Sequence, residues 1–139
     1  MPISLDLSEA GGQYGGMSAC PFCDPPPDQV IGVSGPCYAM WTGERPHGSV
    51  MVLPARHVAS PFDLTAEEWA STQELLVMLR TMLDDQFHPG GYNVGWNVEP
   101  VGGQSIPHAH CHLIPRYDDE PFAGRGMRFW FKSEENRRT

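Results

Sequence analysis

The sequence predicts an α+β fold, a mostly antiparallel sheet of about five strands with one long helix packed across it. Three observations in the 139 residues carry that prediction. Short apolar runs rich in β-branched and aromatic residues recur between turn-forming residues. Only one segment has clear helical periodicity, and it opens on its own capping signal. Fourteen prolines and fifteen glycines supply many turns, with no internal repeat and no low-complexity tract.

Residues 1–19 are Gly-rich around Gly11-Gly12 and Gly15-Gly16 and lack apolar periodicity, which reads as a flexible lead-in. Gln29-Val30-Ile31-Gly32-Val33 and Cys37-Tyr38-Ala39-Met40-Trp41 flank Ser34-Gly35-Pro36 and suit a β-hairpin. Ser49 to Leu53 reads as a strand closed by Pro54. Thr65-Ala66-Glu67-Glu68 is a capping box, with Thr at the N-cap and Glu three residues on. Trp69, Leu75, Leu76, Leu79, Met82 and Leu83 then recur at helical spacing, a stripe expected in the core. His88-Pro89-Gly90-Gly91 ends the helix, and Tyr92 to Val98 and Ala109 to Pro115 read as strands. The predicted organisation is a lead-in over 1–19, one domain over 20–117 and a C-terminal extension over 118–139.

Nine Lys plus Arg against seventeen Asp plus Glu give a net charge of −8. That field argues against broad nucleic-acid binding and offers no long-range attraction to a phosphate, so any anion must be held by local donors. No stretch reaches the roughly 18 apolar residues of a membrane span, and the first residues lack a basic region followed by an apolar core. A cytoplasmic location is expected, where four cysteines are better read as thiols or ligands than as disulfides.

The most informative run is His108-Ala109-His110-Cys111-His112-Leu113-Ile114, directly after Gly102-Gly103-Gln104-Ser105. On a strand the three imidazoles share one face while Ala109, Cys111 and Leu113 pack behind. His108 and His112 are then about 13 Å apart at the α-carbons, too far for one metal ion to take all three rings. The row must divide its labour.

Cys20-Pro21-Phe22-Cys23 offers two thiols at the spacing of a redox pair or a metal knuckle. A redox pair normally opens a helix after a strand, whereas Gly-rich sequence precedes this one and Asp24-Pro25-Pro26-Pro27 follows. Three prolines cannot continue a helix past its first turn, so zinc is favoured, and a structural site then needs two further ligands.

The His-x-His-x-His row with two apolar residues after it resembles the signature of the histidine triad (HIT) family. The resemblance extends through Gly91-Tyr92-Asn93-Val94-Gly95-Trp96-Asn97, Gly103-Gln104-Ser105, Val50-Met51-Val52-Leu53-Pro54-Ala55-Arg56-His57 and Phe62-Asp63-Leu64-Thr65. It implies nucleotidyl transfer or hydrolysis, in the manner of zinc-containing diadenosine polyphosphate hydrolases. It also implies that Cys20, Cys23, His57 and His108 hold a structural zinc, leaving His110 and His112 for substrate. His110 is then the nucleophile on a nucleotide α-phosphate, forming a covalent nucleotidyl-imidazole. His112, the Ser105 hydroxyl and main-chain N–H groups near Gly103 are the expected phosphate donors, Gln104 steadies the phosphate or leaving group, and Asn97 contacts phosphate from the adjacent strand.

One departure concerns Ser49, which stands where many relatives place a histidine of the site, with His47 two residues earlier either a substitute if the turn is re-registered or an exposed loop histidine. Ile31, Tyr38 and Trp41 are candidates to sandwich a base or to be ordinary core, and Glu44 is the nearest acid for the ribose. The run Met127-Arg128-Phe129-Trp130-Phe131, flanked by Arg125 and Lys132, reaches over the substrate, packs on a second subunit or covers the core as an edge strand. Its apolar content predicts a homodimer. Two functions compete: a hydrolase or transferase acting on a dinucleoside polyphosphate or nucleoside phosphoramidate, and a nucleotide-binding regulatory module with little turnover.

Overall fold

A computed structural model describes residues 20–138. The expected lead-in over 1–19 lies outside the described residues. The strands are β1 (Val30–Ser34), β2 (Cys37–Trp41), β3 (Val50–Pro54), β4 (Gly91–Trp96) and β5 (Cys111–Arg116), with helix α1 (Ala66–Phe87) between β3 and β4. They form one antiparallel sheet in the order β1-β2-β3-β5-β4, so β1 and β4 are its edges. A short helix α2 (Met127–Phe131) follows. Among the described residues no helix is long and apolar enough to cross a membrane.

Helix α1 begins where the capping box places it. The Thr65 hydroxyl accepts from the Glu68 N–H, and the Glu68 carboxylate accepts from the Thr65 N–H at 2.8 Å. It ends at His88, which adopts a left-handed conformation (φ 50°) just before Pro89. Leu75, Leu79 and Leu83 are fully buried and pack on Cys37, Ala39, Val50, Val52, Cys111 and Leu113. These residues are alternate positions of β2, β3 and β5, so the helix covers one face of the sheet. At about 25 cal/mol per Å² of apolar surface, each buried leucine contributes on the order of 2 kcal/mol before entropy is counted. The expected stripe is corrected at one position: Trp69 is 44% exposed and meets Trp96 edge-on at 5.6 Å, while Glu68, Ser71 and Thr72 occupy the buried turn. Thr72 satisfies its hydroxyl on the Glu68 carbonyl, which lets a polar side chain stand against the sheet.

The opposite face is assembled from the other alternation. Tyr38, Met40, Met51 and Leu53 pack with Phe22, and the Tyr38 hydroxyl donates to the Phe22 carbonyl. The turn that carries the two N-terminal cysteines is thereby tied to the sheet. Arg56 reaches the Glu68 carboxylate at 2.8 Å and the Asp63 carbonyl at 3.1 Å, fixing the crossover from β3 to the helix.

Candidate functional site

β5 starts at Cys111, two residues later than the periodicity suggests. A bend over Ile106, Pro107 and His108 precedes the ladder, and the Ala109 N–H donates to the Val58 carbonyl at 2.7 Å. The first histidine, outside the ladder, lies against the cysteine turn, its ring 5.9 Å from that of Phe22. Its Nδ1 lies 3.6 Å from the sulfurs of both Cys20 and Cys23. His57 Nδ1 is 3.1 Å from the Cys23 sulfur. One ligand atom from each of Cys20, Cys23, His57 and His108 lies within 4.8 Å of all the others.

The hydrogen bonds fix the tautomers. A carbonyl oxygen only accepts, so His108 must carry its proton on Nε2, which donates to Pro54 at 2.8 Å. The lone pair on Nδ1 then points at the thiols, as a metal ligand requires. Burial presses His108 towards the neutral form, with its pKa lowered to about 4. In the same way His110 Nδ1–H donates to the His108 carbonyl at 2.8 Å, which puts the lone pair of the neutral ring on Nε2. The His110 ring meets Phe22 at 5.2 Å and His112 at 4.9 Å, both edge-on. His112, paired with Met51 on one side and Gly95 on the other, has its pKa lowered by burial and by His110, with Glu44 acting in the opposite sense.

The loop from 97 to 107 closes over a 3-10 turn, Pro100–Gly102. Gln104 staples it: Nε2 donates to the Ala59 carbonyl at 2.8 Å and Oε1 accepts from the Glu99 N–H at 3.0 Å. Glu99 itself has φ 64° and ψ 159°, a region nearly reserved for glycine, so the loop holds a strained residue in place. Asn97 and Ser105 are exposed on this loop, and Asn97 lies beside Gly103.

The Gly103 N–H donates to the Pro100 carbonyl within the turn at 3.0 Å. Among the described residues, the Ser105 and Ile106 N–H groups donate to no backbone carbonyl, and Ile106 was not singled out from the sequence. Ser49 is buried with its hydroxyl donating to Pro46 at 2.6 Å. His47 is exposed on its loop and meets Phe87 edge-on at 4.8 Å near the helix end, as the loop-histidine reading has it. Ile31 and Trp41 pack on the helix side of the sheet, so neither can flank a base beside His110. Tyr38 is on the correct face but only 1% exposed.

The C-terminal aromatic run is a short helix on the histidine face and no edge strand. Arg116 anchors it, pairing with Glu120 at 2.8 Å and donating to the Phe122 and Arg125 carbonyls.

A row of histidines whose first ring joins a Cys/His cluster and whose next two face one another, at the mouth of an open antiparallel sheet, defines a class of site. A family description named the HIT domain matches residues 27–119, well over half of the chain, and the chain belongs to that family. It is 35% identical over 71 residues to bis(5'-adenosyl)-triphosphatase of Saccharomyces cerevisiae, covering 50% of this chain and 34% of that protein. The chain thus spans about a third of that relative's length. In structure it resembles a HIT family protein from Bacillus subtilis, with TM-score 0.66, 25% identity and 73% and 76% of the two chains covered. A Zn-bound histidine triad family protein from Mycobacterium smegmatis shares the fold, with TM-score 0.66, 20% identity and coverage of 77% and 81%.

Proposed function

We propose that this protein is a nucleotidyl hydrolase or transferase that cleaves at the α-phosphate through His110. The observation that carries the reading is the His110 Nδ1–H bond to the His108 carbonyl, which puts the lone pair of the neutral ring on Nε2, with the His112 ring 4.9 Å away. The Nε2 lone pair forms a bond to phosphorus as the bond to the bridging atom breaks and its electron pair departs with the leaving group. Water or another acceptor then attacks phosphorus, the phosphorus–nitrogen pair returns to Nε2, and a proton is released. Neutral His112, the Ser105 hydroxyl and the Ser105 and Ile106 N–H groups are the donors for the charge that builds on the phosphoryl oxygens. Gln104 and Asn97 act from the loop, Gln104 by holding its shape.

Cys20, Cys23, His57 and His108 suit a structural zinc: two soft sulfurs and two imidazoles, with the His108 lone pair already directed at the sulfurs. A filled set of four leaves no open coordination position, so the ion would supply rigidity and no Lewis acidity. The four free thiols fit a reducing, cytoplasmic setting.

A second copy of the chain is the partner. Between α1 and the β4 edge runs an apolar groove of about 690 Å3 bordered by Trp69, Val77, Val94 and Trp96. Val77 and Val94 are 61% and 52% exposed, and β4 pairs only with β5 among the described residues. A two-fold axis beside β4 would pair the strand with itself and cover both grooves at once.

The chemistry is tested by incubating the full chain with adenylyl and guanylyl substrates and trapping the adduct by mass spectrometry. A nucleotidyl group on His110 and its loss in His110→Ala are expected. Nucleotide binding by both proteins, with no turnover of any substrate, would leave the regulatory module as the correct reading. Metal analysis after chelator-free purification is expected to give one zinc per chain, and less than about half would overturn the metal assignment.

A further inference from the structure

The strap formed by the C-terminal extension encloses a cavity of about 240 Å3 next to His112. Met127 seats its methyl 3.7 Å from where a side chain on Gly95 would begin, and Gly95 is the ladder partner of His112. The cavity therefore adjoins the reacting row. Asn93, Asn97, Arg116, Arg125 and Trp130 line it together with His112.

Its two arginines differ in state. Arg116 is neutralised by bidentate contact with Glu120, at 2.8 and 3.1 Å, and donates its remaining bonds to Asn93 and to strap carbonyls. Arg125 has no carboxylate partner among the described residues. Its guanidinium lies instead over the rings of Phe122, Phe129 and Trp130, at 5.3, 4.8 and 6.0 Å from their centroids. A cation held over aromatic faces keeps its charge and in-plane donors available to an anion. Asn93, whose amide oxygen is taken by Arg116, presents its amide nitrogen towards Gly126 at the same wall. In a chain of net charge −8, this is a local positive site with neutral donors beside the row that would transfer a nucleotidyl group.

Resting on the reading of His110 as nucleophile, we propose that this cavity receives the phosphate-bearing leaving group, with Arg125 as its anion ligand. The volume suits one or two phosphates and is too small for a second nucleoside, which would extend past Trp130 into solvent. A polyphosphate leaving group departs with the electron pair of the broken phosphorus–oxygen bond and gains negative charge as it goes. Arg125 stabilises that charge. An amine leaving group from a phosphoramidate instead takes up a proton, and a fixed cation gives it nothing. The strap thus selects dinucleoside polyphosphates over phosphoramidates.

Two measurements on the full chain test this. First, kcat/KM is determined for diadenosine triphosphate and for adenosine 5′-phosphoramidate with wild type, Arg125→Gln and Arg125→Lys. The polyphosphate-to-phosphoramidate ratio is expected to fall at least tenfold in Arg125→Gln and to be largely restored in Arg125→Lys. Second, tripolyphosphate is titrated calorimetrically, and its Kd is expected to weaken at least tenfold in Arg125→Gln. Turnover of both substrates with an unchanged ratio would overturn the subsite and leave the nucleophile reading standing. Arg125-dependent tripolyphosphate binding without any turnover would keep Arg125 as a polyphosphate ligand but overturn the enzyme reading and the leaving-group role with it. Tripolyphosphate binding that ignores Arg125, or no binding at all, would overturn the subsite.

Discussion

At His108 the ring nitrogen remote from the thiols donates to Pro54, while the residue's own carbonyl accepts from His110. The ring and the main chain of this one residue thus serve the cluster and the neighbouring tautomer together, while His57 presents Nδ1 to the Cys23 sulfur at 3.1 Å. Both His57→Ala and His108→Ala are expected to lose zinc, but His108→Ala also gives up the ring bond to Pro54 that positions the carbonyl under His110 and should lose at least tenfold more turnover, read as kcat against zinc per chain. Gly48 makes a second residue-scale prediction. It is buried with φ 90°, and an added methyl would meet Phe87 at 3.1 Å, so Gly48→Ala should cost about 2 kcal/mol in urea unfolding. The identities around the row were legible because ring types in a fixed order carry chemistry. The donors near Gly103 were legible only as a neighbourhood, because the turn that takes up the Gly103 N–H depends on the positive φ of Glu99, which no propensity signals. Trp41, left open between base contact and core, is core; it stands three residues from Tyr38, an odd separation that sends the two to opposite faces of one strand. Ile31 was hidden by the bulge between Val30 and Gly32.

Among the elements, α1 was read almost to the residue, since its cap and its leucines agree. Its rotation was less legible: the pattern weighted Trp69, but Glu68 and Thr72 are satisfied inward by Thr65, Arg56 and the backbone. Glu68→Ala removes the reciprocal cap and the Arg56 pair and should cost about 2 kcal/mol; Glu68→Gln, which can still accept from Thr65, about 1 kcal/mol. Burial opposes ionisation of Glu68, but its bonds to Arg56 and Thr65 prevail and hold the carboxyl below its ordinary 4.5. A lowered folded value means the contribution is present above about pH 4.5 and lost as pH falls through that lowered value. The wild-type unfolding midpoint should therefore drop more steeply than that of Glu68→Gln in acid, as thermal melts from pH 6 to pH 3 would record. The C-terminal extension was the least legible element, because an aromatic run with two arginines has no period, and long-range bonds from Arg116 help fix where it lies.

For the whole molecule, the sheet divides the work between its faces, with α1 on one and the histidines, cysteine turn and strap on the other. The apolar C-terminal run suggested a dimer, yet the exposed groove that fits a second copy lies between α1 and β4. Val77→Glu should convert a dimer to a folded monomer, seen by light scattering with an unchanged circular dichroism spectrum. A monomeric wild type at micromolar concentration would reject that assignment. The alternation along β5 has one more consequence. Cys111, Leu113 and Pro115 are buried, while His112, Ile114 and Arg116 are half-buried on the cavity side. In a saturation library sorted once for cellular abundance and once for turnover, this strand should show two interleaved records of constraint. Odd positions would be depleted by the first sort, and even positions only by the second.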